Sequence, residues 1–214
     1  QINTTLGDSQ KKSLKRAIRL PYTMMYGGDV AALSSFFGSD KEVLMHYARP
    51  YHHHFHQLRH EKLNILEIGI GGYEDPTAGG ASLRVWKAYF PNSRIFGLDI
   101  HDKSHHDERR IRTFRGSQAD ESLLRRIASE IGTIDIVIDD GSHYSDHVIR
   151  SFNVLFPLLS PTGLYVVEDL QTSYWEEVEG QQWGGARDLA APHTSMNFFK
   201  RLVDGLNYEE FTLD

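Results

Sequence analysis

At 214 residues, 40% hydrophobic and 24% charged, the chain is long enough to bury one sizeable core as a single domain, and this usage excludes disordered and fibrous classes. A net charge of -6 without a separate basic arm excludes the positive footprint that nucleic acid requires, which leaves a small molecule as the default partner. The absence of cysteine excludes disulfides and thiolate zinc sites; with no apolar run of about 18 residues and no apolar leader, the chain is expected to be soluble and cytoplasmic, without a membrane partner.

Residues 1–60 read as an N-terminal helical segment. It holds a basic helical stretch, Lys11 to Arg19, and a second helix from about Asp40 to His60, in which Tyr51 and Phe55 form an apolar pair at i, i+4. Residues 61–214 read as the core, where short apolar runs alternate with amphipathic stretches in the pattern of a parallel sheet covered by helices. The predicted strands are Asn64 to Ile70, Arg94 to Ile100, Ile111 to Gly116, Ile134 to Asp140 and Gly163 to Leu170. Between them, Leu83, Trp86 and Phe90 make one helical stripe; Leu123, Leu124, Ile127 and Ile131 make another, begun by Asp120 as N-cap. Glu179 to Gly185 reads as a mobile loop. The chain opens on Gln1 without an initiator Met and ends at Asp214 inside a strand-like Glu210–Leu213, so an excised domain or an incomplete chain is expected, with its C-terminal strands incomplete.

Three predicted strands end in acid: Leu98-Asp99, Ile138-Asp139-Asp140 and Val167-Glu168-Asp169. In a parallel sheet these ends share one edge, where open α/β folds bind ligands. After the first strand, Leu66-Glu67-Ile68-Gly69-Ile70-Gly71-Gly72 permits close backbone approach to a ligand. A dinucleotide fingerprint would need glycine at position 74, which is Glu74, and the next helix starts late. Asp99 is placed to accept hydrogen bonds from a ribose, so a nucleoside-containing cofactor follows, either nicotinamide or adenosylmethionine.

Asp139-Asp140-Gly141-Ser142-His143 together with Glu168-Asp169 would gather three or four carboxylates, which repel one another unless a hard cation such as magnesium sits among them. Capping of the following helices explains one acid per strand but not two adjacent pairs. His143, three residues after Asp140, suits a general base. His143 and His147 have a helical zinc spacing but lack the glutamate of the zinc-protease motif, and the run His52, His53, His54, His56 and His60 reads as a partly solvated helix face.

Several stretches resemble the metal-dependent sugar O-methyltransferases of macrolide and related polyketide biosynthesis, of the mycinamicin, tylosin and rhamnosyl type. They are Gly38-Ser39-Asp40-Lys41 with His46-Tyr47, LEIGIGGYEDPTAGGASLRVWKAYF, FGLDIHDK, RGSQAD, IDIVIDDGSH, YVVEDLQTSYW and KRLVDGLNYEEF. The resemblance implies a Rossmann-like, doubly wound, mostly parallel class I methyltransferase sheet, with S-adenosylmethionine and Mg²⁺ as cofactors. By motif, Asp140, Glu168 and Asp169 would be metal ligands and His143 the base. Glu67, Gly69, Gly71, Ser82, Asp99, Gln118 and Asp139 would line the cofactor. The implied acceptor is a hydroxyl of a small molecule, a deoxysugar or polyketide natural product; a homo-oligomer, a stand-alone enzyme and a domain of a larger synthase are all open as assemblies. Two alternatives compete: a metal-dependent hydroxylase of the cephalosporin hydroxylase type on the same fold, and a cofactor-binding domain without turnover.

Overall fold

The structure, a computed structural model, describes residues 7–43, 46–178 and 180–206. The expected strand Glu210–Leu213 lies outside them. The chain divides into two compact units, one of Gln1–Glu61 with Ala81–Ser93, the other of Lys62–Gly80 with Arg94–Asp214.

The first unit is helical: α1 (Asp8–Tyr26), α2 (Val30–Phe37), α3 (Asp40–Val43), α4 (Ala48–Phe55) and α5 (Ala81–Tyr89). The basic stretch extends well beyond Arg19, through Pro21, to Tyr26. Helix α2 is absent from the sequence reading, although its ends carry signals: Asp29 accepts from the amide of Ala32, and Gly38 closes the helix at φ 79°. The single helix expected over Asp40–His60 is broken, and His46 takes φ 54° between α3 and α4. Tyr51 and Phe55 are buried, and Trp86 of α5 meets both rings edge-on, at 4.8 and 5.9 Å between centroids. The aromatic stripe of α5 therefore packs as core.

The second unit holds β1 (Asn64–Ile68), β2 (Arg94–Asp99), β3 (Ile111–Arg115), α6 (Glu121–Ile131), β4 (Ile134–Asp139), α7 (Ser145–Leu155), β5 (Leu159–Val167), a hairpin of β6 (Glu177–Val178) and β7 (Gln181–Gln182), and α8 (Ser195–Gly205). Strands β1 to β5 form one parallel sheet in the order β3-β2-β1-β4-β5. Leu66, Ile68, Leu98 and Val137 pack with Leu123, Leu124, Ile127 and Ile131 of α6 and Val154 and Leu155 of α7. Each such side chain removed from water contributes roughly 1.5–3 kcal/mol. Strand β5 begins four residues earlier than expected. Its register slips between Ile134 and Ile136 of β4; among the described residues no strand pairs on its outer side, and such a position tolerates Pro161 and Gly163. Within the stretch Glu179 to Gly185 read as a loop, Gln181 and Gln182 instead pair antiparallel with Glu177 and Val178 as a short hairpin, with Gly180 at φ 80° in its turn.

Register decides where the chemistry gathers. Ile68 pairs with Leu98 on one side and Asp139 on the other, and Asp139 pairs with Val167. Gly69, Asp99, Asp140 and Glu168 thus leave the sheet at one edge. The strand order reverses between β1 and β4, the switch point at which such sheets bind ligands.

Candidate metal and cofactor site

Asp140 follows β4, His143 lies in the turn before α7, and Asp169 follows β5. Their ligand atoms all lie within 4.8 Å of one another, the sole such group of three among the described residues. His143 Nε2 is 3.9 Å from Asp140 Oδ1 and 3.7 Å from Asp169 Oδ2. Both His143 (φ 58°) and Asp169 (φ 54°) occupy the left-handed region, which costs a side-chain-bearing residue energy and is tolerated where the surroundings enforce it. Thr172 supplies part of that enforcement: its hydroxyl lies 2.9 Å from His143 O and 3.0 Å from Asp169 O. The two carboxylates are oxygen donors that fit a hard divalent ion, and the imidazole beside them is the softer group. Glu168 stands outside this group: it is buried, and its amide donates to Asp139 O at 2.9 Å.

Asp139 is enclosed. Ser151 Oγ donates to it at 2.5 Å, Gln118 Nε2 at 3.0 Å and Tyr165 OH at 3.2 Å. Burial pushes the Asp139 carboxyl above the usual range, and these three donors offset part of the shift. Burial and the Asp139 charge together push the Tyr165 phenol well up, so it remains a donor. The other end of Gln118 accepts the Ser142 amide at 2.7 Å, so both ends of this side chain hold the loop that carries Asp140 and His143. A Cβ on Gly141 would overlap Gln118 Oε1, which explains the glycine in this loop.

Gly69 (φ 88°) abuts Asp140, and a Cβ there would overlap the Asp140 carbonyl. Gly71 (φ 74°) begins a loop that folds back on itself, with the Gly80 amide donating to Ile70 O at 2.8 Å. Asp99 accepts from the Ile70 amide through Oδ2 and from the His101 amide through Oδ1, both at 2.9 Å, and keeps a further lone pair on each oxygen. Glu67 is fully buried within β1. Ser82 is buried in α5 and belongs to the first unit. The Asp99 carboxylate, with a lone pair left on each oxygen beside the Gly69–Gly71 backbone, fits the ribose of a nucleoside cofactor, while the glycine at 69 is required by its packing on Asp140.

No family model matches the chain. It is 50% identical over 182 residues, 85% of its length, to the 8-demethyl-8-alpha-L-rhamnosyl tetracenomycin-C 2'-O-methyltransferase of Streptomyces olivaceus, and 46% identical over 87% of its length to the mycinamicin VI 2''-O-methyltransferase of Micromonospora griseorubida. The solved structure of the MycE methyltransferase of the mycinamycin pathway, in complex with Mg, SAH and mycinamycin VI, superposes with a TM-score of 0.79 at 46% identity over 84% of this chain and 48% of that one. The chain is homologous to the sugar O-methyltransferases. It spans about half the length of the curated relatives it matches, 47% and 46% of these two.

In this sugar O-methyltransferase homologue, the five-stranded parallel sheet is that of class I methyltransferases. Sequence reasoning missed Thr172, Ser151 and Tyr165, whose partners lie 12 to 29 residues away in the chain. It also missed Lys103 inside FGLDIHDK, although a lysine following a run of loop polars carried no signal of burial. A hydroxyl cluster escaped it as well. Ser173 Oγ lies 2.7 Å from Ser195 Oγ, and Ser145 Oγ accepts the Ser195 amide, which ties the starts of α7 and α8 to the turn after Asp169.

Proposed function

We propose that this chain carries out methyl transfer from S-adenosylmethionine to a hydroxyl of a sugar borne by a polyketide, with a divalent ion, Mg²⁺ in the first instance. The observation that carries this reading is the meeting of Asp140, His143 and Asp169 at the sheet edge, where Gly69 packs against Asp140. Asp140 and Asp169 would hold the ion, with Glu168 as the adjacent further carboxylate. When bound, the ion supplies the charge that acidifies the acceptor hydroxyl, and the cofactor supplies the methyl group. His143 Nε2 is placed to take the hydroxyl proton; transfer of the methyl group to that oxygen would break the cofactor's carbon–sulfur bond and leave S-adenosylhomocysteine. Gly69, Gly71 and Asp99 receive the cofactor, with Glu67 beneath them; the resemblance alone assigns Ser82 to it. Asp139 and Gln118 act here by holding the Asp140–His143 loop, since both are engaged by protein partners. Much of the rate then comes from alignment of oxygen, carbon and sulfur.

His143 as a third metal ligand is the second reading, favoured by its distances of 3.9 and 3.7 Å to the two carboxylates. Incubation with methyl-labelled S-adenosylmethionine, Mg²⁺ and a rhamnosylated polyketide tests the function. Label is expected in the sugar, lost in excess chelator and restored by Mg²⁺. Incorporation of oxygen in place of methyl, or full transfer in excess chelator, would overturn it.

A further inference from the structure

Lys103 is 1% exposed, in the loop that follows β2. An ammonium is strongly hydrated and rarely lies so deep unless its donors are met. Here all three N–H donors have a carbonyl: Tyr73 O at 2.7 Å, Asp75 O at 2.7 Å and Ala78 O at 3.3 Å. All three belong to the loop that runs from Gly71 to Gly80 after β1. His106 adds a second tie, its Nε2 3.0 Å from Ala78 O and its ring against Gly80.

That loop does not hold its shape on local preference alone. Gly71, Gly72, Gly79 and Gly80 are all at positive φ, and a Cβ on Gly72 would overlap Ala78 while one on Gly79 would overlap Gly71. Tyr73 takes φ 44° although its side chain is 88% exposed, so side-chain packing does not secure its backbone. Its carbonyl is instead fixed by Lys103. The same loop is joined at its root to the end of β2 through Asp99 and the Ile70 amide. Lys103 and Asp99, four residues apart, therefore clamp one loop at its middle and at its base.

We infer that Lys103 is the positioning residue of the cofactor loop: its ammonium, seated in three main-chain carbonyls, fixes residues 73–78 in the conformation that receives the adenosyl cofactor. This rests on the function proposed above. Without the ammonium, the Tyr73 carbonyl loses its donor, while the Asp75 and Ala78 carbonyls keep only the Ala78 amide and His106; the receptive conformation becomes a minor one, and apparent affinity falls in proportion to its population. Lys103 touches neither the acidic pair nor His143, so the metal and the proton transfer are spared.

Calorimetric titration with S-adenosylhomocysteine tests this. In K103M, which keeps the apolar stem, the Kd is expected to rise about ten-fold or more. The KM for S-adenosylmethionine should rise with it, turnover at saturation should stay within about two-fold, and Mg²⁺ affinity should not change. K103R, which keeps charge and donors, should lose less. A K103M protein that binds S-adenosylhomocysteine as tightly as wild type would overturn the inference, as would a loss of turnover at saturation without a change in Kd. If K103M fails to fold, reductive methylation of Lys103 in the wild-type protein, read by mass spectrometry, gives the same answer. A bound ligand must close a loop whose closed form it prefers, so saturating S-adenosylhomocysteine should slow modification about ten-fold. An unchanged rate in protein shown to bind the ligand would overturn the inference. Wild-type protein that does not bind S-adenosylhomocysteine would overturn the proposed function, and this inference with it.

Discussion

His143 and Asp169 are held in a backbone conformation that neither residue favours, at φ 58° and 54°, and one hydroxyl reaches the carbonyls of both. Thr172→Val removes that hydroxyl while keeping the shape. It should lower stability by about 1–3 kcal/mol, because the His143 carbonyl loses its donor while the Asp169 carbonyl keeps the Thr172 amide, and should loosen metal binding as well. Thermal unfolding and an ion titration check both effects, and a variant with unchanged ion affinity would detach Thr172 from the site. His143→Ala should lower turnover by about 10² to 10⁴ with little change in ion or cofactor affinity. His147 is the internal control. It sits on α7 with its Nδ1 2.8 Å from Ser142 Oγ, so His147→Ala should cost far less, and equal losses at both positions would contradict a base at 143.

At the scale of elements, helix α6 shows how local signals act. Asp120 accepts from the Leu123 amide and from Ser122, and these bonds hold its carboxyl below the usual range. A lowered carboxyl contributes stability that is present above the ordinary carboxylate range and lost as pH falls from that range through the lowered value of the folded state. Asp120→Ala should therefore lower Tm near neutral pH and converge on wild type in acid; a deficit independent of pH would contradict a charged cap. This cap was legible because capping is written in adjacent residues. The strands were legible for a similar reason, as apolar runs that end in acid. Helix α2 was not: Val30–Phe37 is a short, mostly apolar stretch whose periodicity does not separate helix from strand, so only Asp29 and Gly38 mark it. The enclosure of Asp139 by Gln118, Ser151 and Tyr165 was also hidden, because its members meet only once β4, α7 and β5 are side by side.

For the molecule as a whole, the acidic balance and the sheet edge point the same way. A net charge of -6 and a cluster of strand-end acids suit a cation and a small acceptor better than a polyanion. Among the described residues, no helix is long and apolar enough to cross a membrane. The clustering of Asp140 and Asp169 at one edge was legible from the parallel order of the strands; that His143 also comes within ligand distance of both was not, since its left-handed turn cannot be read from spacing. The central claim is that two carboxylates hold a divalent ion beside a histidine that moves a proton. Titration of Mn²⁺ by electron paramagnetic resonance, on wild type, Asp140→Asn, Asp169→Asn and His143→Ala, tests it most directly. One ion per wild-type chain is expected, with affinity lost in both aspartate variants and retained in His143→Ala. Binding undiminished in the aspartate variants, or lost in His143→Ala as fully as in them, would contradict it.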